Sequence, residues 1–321
     1  SVEDWVTDTN LGAEIVSVTN PPDNLLGLVT MPNGIGVAFI DRTLYFSELP
    51  SIGNGIESWP DRYRKPVQNT IKGLMVTGTE VIVLSEGTPR MVTGTDPLYM
   101  RVMDLPSTQA CTAHRSISKV GNSVMYSSGD GMARVTGASS TNSTKDFIQK
   151  KQWEDLHPEL MTASVFDDRL HAFLADSTYL FEPVDGVKAL TTSTELATGS
   201  YTDLKDDTLY IIQGSDVTAW NRDYATPLLM TWRSKQYEYA RPVSWNCVKV
   251  VAQSYPTTNP ILFKCYANSS LVSTTTITSD AGIRLPITRR ERNWMFEIVS
   301  YVEVHAFVVA QSSSELSQIR W

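Results

Sequence analysis

The sequence predicts an all-β protein: a β-propeller of five to six blades over residues 27–228, followed by a β-sandwich-like domain over residues 229–321. Three observations carry this. Long amphipathic helical stretches are nearly absent, and short alternating or apolar runs broken by Gly, Asp, Asn and Ser take their place. Five of those runs recur at a nearly constant interval. Past Pro227 the recurrence stops while strand-like runs continue. The 321 residues leave room for about two average domains, and 41% apolar against 19% charged residues suits a buried core.

The recurring segments share one design: a turn pair, an apolar strand, a tight polar turn and a second strand. They are Asn33-Gly34 before GVAFIDRTLYFSE, Gly78-Thr79 before EVIVLSEGTPRMVTG, Gly121-Asn122 before SVMYSSGDGMARVTG, Asp167-Asp168 before RLHAFLADSTYLFEP, and Asp206-Asp207 before TLYIIQGSDVTAWNR. The first strand of each starts near Val37, Val81, Val124, Leu170 and Leu209, at spacings of 44, 43, 46 and 39 residues. A four-stranded blade occupies about 40–50 residues. One such sheet cannot bury both faces alone, so blades pack face to face and the series must close. A sandwich would need no such interval. No Trp-Asp dipeptide recurs at strand ends, which excludes the WD40 variety. Residues 1–26 form an N-terminal segment whose run Ile15-Val16-Ser17-Val18 is expected to close the propeller by completing a sixth blade.

Two insertions interrupt the repeat. In Thr144–Pro158, Thr144 is expected to cap a short helix, Trp153 and Leu156 to anchor it by an i,i+3 contact, and Pro158 to end it. Leu49–Pro66 carries Trp59-Pro60 and Tyr63-Arg64, and loops of that length often bind something. After Pro227, strands are expected at Trp232–Tyr239, Val248–Ala252, Ile261–Tyr266, Leu271–Ile277, Trp294–Val299 and Val302–Ala310. These suit a separate sandwich, with two irregular extra blades as the alternative.

The net charge of −8 argues against a domain that grips duplex DNA or an anionic membrane, though an acidic wall suits DNA that must slide past. No apolar run is long enough to cross a bilayer, and the N-terminal residues carry no secretory pattern. Cys111, Cys247 and Cys265 contain no CxxC pair. Cys247 and Cys265 could face one another on neighbouring strands, but reduced core thiols are the favoured reading.

His114, His157, His171 and His305 are far apart in sequence, so no metal site is assigned. Neither a nucleophile elbow nor a nucleotide-binding loop is present, and no catalytic or cofactor-binding residue is assigned. Asp167, Asp168, Asp206 and Asp207 would be the acids of a propeller glycosidase, but each falls where Asp favours a turn, as does Asp130-Gly131. The candidate contact residues are Trp59, Arg62, Tyr63, Arg64 and Trp153, with Arg289, Arg290 and Arg292 as a basic cluster suited to solvent or to an acidic partner subunit.

The chain resembles a family of tailed-bacteriophage virion proteins, the β-propeller tail nozzle or hub components. The carriers run in order along the sequence: Tyr45-Phe46-Ser47-Glu48, Trp59-Pro60 with Tyr63-Arg64, Val92-Thr93-Gly94-Thr95-Asp96-Pro97, Arg115-Ser116, Tyr126-Ser127-Ser128-Gly129-Asp130-Gly131, and Gln152-Trp153 with Leu156-His157-Pro158. Phe181-Glu182-Pro183, Trp232-Arg233-Ser234-Lys235, Arg284-Leu285-Pro286, and Ala310-Gln311-Ser312 with Glu315-Leu316 complete the series. The resemblance implies a non-enzymatic virion subunit, made in the host cytoplasm. It implies assembly into a homo-oligomeric, typically hexameric, ring that meets the tail adaptor and other tail proteins. DNA would pass through without sequence-specific binding, and no membrane anchor or cofactor is implied. A glycan-binding or glycan-cleaving propeller that recognises the host surface is the alternative from another class.

Overall fold

The computed structural model describes residues 19–49, 58–182, 190–220, 228–287 and 289–318. The chain divides into two compact units, residues 1–220 and 221–321. The sequence places the boundary at 228/229, and the residues between the two positions include 221–227, which lie outside the described set.

Unit 1 is a β-propeller with five antiparallel blades among the described residues. Blade 1 holds β1 (Leu26–Thr30), β2 (Gly36–Ile40), β3 (Thr43–Phe46) and β4 (Lys65–Pro66). Blade 2 holds β5 (Ile71–Thr77), β6 (Glu80–Ser85), β7 (Arg90–Thr93) and β8 (Arg101–Asp104). Blade 3 holds β9 (Ser118–Val120), β10 (Ser123–Ser128), β11 (Gly131–Thr136) and β12 (Ser139–Asn142). Blade 4 holds β13 (Thr162–Phe166), β14 (Arg169–Phe173), β15 (Thr178–Phe181) and β16 (Leu190–Ser193). Blade 5 shows β17 (Gly199–Asp203), β18 (Thr208–Gln213) and β19 (Asp216–Ala219).

The recurring apolar strand is thus the second of each blade, not the first: β2, β6, β10, β14 and β18. The turn pair lies inside the blade, joining a less apolar first strand to the second. Its chemistry fits: Gly34, Gly78, Gly121, Asp167, Asp168 and Asp207 all have left-handed φ, between 50° and 88°. The run Ile15–Val18 lies outside the described residues.

Packing between blades explains why these second strands are apolar throughout. In β6, Val81 and Val83 pack against Val37, Phe39 and Leu44 of blade 1. The alternate residues Ile82 and Leu84 pack against Val124 and Tyr126 of blade 3. In β14, Leu170 and Ala172 join Met125 of blade 3, while Phe173 joins Leu209 and Ile211 of blade 5. A two-residue period therefore feeds two cores at once. At the ends of the series, Leu26 and Leu28 of β1 and Tyr201, Ile212 and Val217 of blade 5 are exposed.

The insertion after blade 3 forms α1 (Lys150–Glu154), and its cap differs from expectation. Gln149 stands at the N-cap, its backbone N–H donating to Gln152 Oε1 at 3.0 Å. Thr144 is fully buried and instead accepts from the backbone N–H of Met132 at 3.1 Å, which fastens the insertion to blade 3. Pro158 follows the helix and opens a 3₁₀ turn, Pro158–Leu160.

Unit 2 is a β-sandwich. One sheet contains β20 (Met230–Arg233), β21 (Tyr237–Val243), β26 (Glu291–Ser300), β23 (Ile261–Ala267) and β24 (Ser270–Ile277); the other orders β25 (Ile283–Arg284), β22 (Cys247–Ala252) and β27 (Val304–Ala310). A short α2 (Ser313–Gln318) follows. The single strand expected at Trp232–Tyr239 is two strands, both paired with β26. Ser234 makes the break: its N–H donates to Phe296 O at 2.8 Å, and its hydroxyl accepts from Phe296 N–H at 2.9 Å. The core joins Val248 and Val250 to Ile261, Phe263, Trp294, Phe296 and Ile298. Cys247 and Cys265 lie in opposite sheets and do not face each other, and both are free and buried.

Candidate functional site

The first strands of blades 2 to 5 border a groove of about 620 Å³, lined among others by Met75, Lys119, Thr162, Ser164, Tyr201 and Thr202. Three of these strands, β9, β13 and β17, are short and carry hydroxyls that join one blade to its neighbour. Ser118 Oγ donates to Ala163 O at 3.1 Å, Ser164 and Ser200 share a 2.7 Å bond, and Thr202 Oγ1 donates to Val165 O at 2.7 Å. Arg115 Nη1 reaches from blade 3 to blade 5, donating to Thr198 O at 3.1 Å. Among the described residues, His114, Arg115, Lys119 and the Tyr201 phenol are the ionisable side chains of the groove, and no carboxylate lines it.

The structure removes two of the expected contact residues from the surface. Trp59 is 4% exposed, and its backbone N–H donates to Thr19 O at 2.8 Å. Trp153 is 1% exposed, packs with Met125 and Leu170, and donates its Nε1–H to Ser128 O at 2.7 Å. A satisfied indole in an apolar cluster is a core residue. Arg62 and Arg64 are exposed and Tyr63 half-buried, around the 3₁₀ turn Asp61–Tyr63. Arg62 Nη2 donates to Glu48 Oε1 and to the Tyr63 hydroxyl, both at 3.0 Å. Tyr63, and to a lesser degree Glu48, raise the Arg62 pKa. Arg64 pairs with Asp61 and lies 5.2 Å from the Tyr45 ring centroid.

In unit 2, Arg289, Arg290 and Arg292 are exposed where β26 begins. Arg241, also exposed, lies on the stretch of β21 that pairs with Glu291 and Asn293. The other cations of that sheet are engaged. Arg233 and Lys264, on the strands flanking β26, both pair with Glu297, and the Tyr266 hydroxyl donates to it at 3.1 Å. Burial pushes the Glu297 carboxyl upward, but hydrogen bonds from Lys264, Arg233 and Tyr266 outweigh it and leave the pKa below the ordinary value. Residues 221–321 hold eleven Lys and Arg against seven Asp and Glu, a net of +4, which leaves 16 against 28, a net of −12, in residues 1–220.

Asp167, Asp168, Asp206 and Asp207 occupy exposed turns rather than a cleft. Sequence reasoning gave no separate role to His171, which is 2% exposed between blades 4 and 5. Its ring is 5.1 Å from that of Trp220, edge to face, and neither ring nitrogen has a partner. Desolvation, with Arg169 nearby, lowers its pKa to about 4. The signal was its place in β14 on the same side as Phe173, where the repeat buries both faces. Cys111 and Cys265 are pushed up to about 12 by burial, which keeps them as thiols.

No protein-family model and no curated protein matches this chain. Among solved structures it is similar to PorZ, a bacterial surface component of the type-IX secretion system of Porphyromonas gingivalis, at 14% identity and a TM-score of 0.38, covering 78% of this chain and 33% of that one. It is similar to the N-terminal domain of Nup159 at 11% identity and a TM-score of 0.36, covering 88% and 91% of the two chains. BamB from Moraxella catarrhalis matches at 11% identity and a TM-score of 0.26, covering 62% and 84%. The chain spans about a third of PorZ, and at these scores no property of these proteins carries over to it.

Proposed function

We propose that this chain is a non-enzymatic structural subunit of a bacteriophage tail, a nozzle or hub component that assembles into a ring around the DNA channel. One observation supports this most directly. Several of the residues that carry the family resemblance serve as joints between structural elements. Arg115 bonds across to blade 5, Trp153 to Ser128, Ser127 Oγ to Pro158 O at 3.0 Å, and Ser234 to Phe296. A glycosidase needs two acids across the scissile bond, and the groove offers Arg115 and Lys119 instead. The exposed apolar residues on the end blades suit a protein that works in an assembly. The acidic balance of unit 1 suits a wall past which DNA slides.

Electron microscopy of intact virions, with this chain located by its propeller and sandwich, tests the reading; absence of the chain from purified virions overturns it. A second reading, a glycan-binding propeller at the host surface, has one observation in its favour. Tyr201, 65% exposed beside the groove, offers a sugar-stacking face. Saturable binding on a polysaccharide array that Tyr201→Ala abolishes would favour it.

A further inference from the structure

Arg292 of β26, Arg241 of the stretch of β21 that pairs with it, and Arg289 and Arg290 just ahead of β26 lie at one end of a sheet, all exposed, with Glu291 among them accepting from Asn268 at 2.9 Å. None of the four arginines makes an ion pair among the described residues, although Arg233 and Lys264 in the same sheet do. Like charges gathered on a sheet repel, a cost that an acidic partner reverses.

Unit 1 carries a matching surface. Strands β13 and β17 run side by side in the same direction, fixed by the Ser164–Ser200 bond and by Thr202 donating to Val165 O. The turns that follow them, Asp167-Asp168 and Asp206-Asp207, therefore lie at the same end of neighbouring blades. All four acids are exposed; Lys205 lies within the second turn, and Arg169, which directly follows the first, is paired with Glu182. Asp206 accepts from the Tyr210 hydroxyl at 2.9 Å, and no ion pair neutralises the four among the described residues.

We infer that the arginine cluster of unit 2 docks on the acidic turns of blades 4 and 5 in a second copy of the chain. This rests on the ring reading above and names the surfaces that build the ring. Two different patches meeting head to tail form a heterologous contact, which generates a closed ring when the rotation permits. Local charge complementarity selects this occupant: every copy of the chain carries both the exposed arginines and the exposed paired acidic turns, so each patch finds its counterpart on a second copy.

The test is light scattering and sedimentation of the full chain, at about 0.05 M and about 0.5 M salt, since screening weakens exposed pairs. The wild type is expected to form multimers that dissociate in high salt. R289E/R290E/R292E should weaken self-association roughly a hundredfold. D167N/D168N/D206N/D207N, which keeps left-handed turns that Asn tolerates, should also weaken it. A mixture of the two variants should stop at one-to-one dimers, because one productive pairing remains. Unchanged circular dichroism and melting establish that each variant is folded. Multimers indifferent to both variants and to salt overturn the inference and leave the ring reading standing. A wild-type monomer at every concentration sinks both. If the arginine variant alone dissociates the multimer, the acidic turns are not the partner surface. If it abolishes duplex-DNA binding while the multimer persists, the cluster serves a polyanion.

Discussion

The two units spend the same two-residue strand period differently. In unit 1, β6 sends Val81 and Val83 into one core and Ile82 and Leu84 into the next, so charge is driven to the turns. In unit 2, β23 buries Ile261, Phe263, Cys265 and Ala267 in a single core, which frees its other face for Lys264. Unit 1 is thus a series of small cores between neighbouring blades, whereas unit 2 centres on one large core shared by its two sheets, beside a small cluster of Cys247, Ala310 and Leu316. Damage to a blade interface should stay near that interface, while damage to the sandwich core should be felt by the whole unit.

Four changes probe the difference between the two units. Trp294→Ala empties the largest site of the sandwich core, where the ring is fully buried and Nε1–H donates to Glu291 O at 3.0 Å. It should cost about 3–5 kcal/mol and abolish the unit 2 transition in calorimetry, with the unit 1 transition in place. A common shift of both transitions would erase the distinction between the units.

Acid should separate the units next. His171 takes up its proton near 6.5 when unfolded and near 4 when folded. Its contribution is therefore full above about pH 6.5 and fades as the pH falls toward 4, by an amount on the order of 3 kcal/mol. Melting of unit 1 across this window should show the loss, and His171→Phe should flatten it. Glu297 acts in unit 2 only below the ordinary carboxylate range, where protonation of a carboxylate with a lowered pKa removes stability.

Trp153→Phe keeps most of the ring but leaves the buried Ser128 carbonyl without its donor. About 1–3 kcal/mol should be lost from unit 1 alone, read as a lower denaturant midpoint for that transition. Least affected should be Arg62→Ala, which deletes an exposed pair with Glu48; neither melting transition should move.

Much of this architecture is legible in the chain. The second strands of the five blades begin one residue before Val37, Val81, Val124, Leu170 and Leu209, because both faces of each must be apolar and a tight turn must precede it. The first strands are harder to read: Ser118–Val120 and Gly199–Asp203 look like loop, since their hydroxyls serve bonds to a neighbouring blade. The burial of Trp59, read on a loop, and of Trp153, read on a short helix, is hard to see for the opposite reason, because a residue outside the strand pattern carries no period that reports its burial.

Local chemistry settled what needs only neighbours in sequence: which residues turn, which runs are strands, and where the repeat stops. Tertiary contacts alone decided what depends on distant partners. They set which strand leads each blade, that Ser234 splits a strand, that Arg115 spans two blades and that His171 is enclosed without a hydrogen bond. The reason is physical. Turn and strand preferences act through adjacent φ and ψ angles, whereas burial and pairing depend on which remote surface arrives opposite.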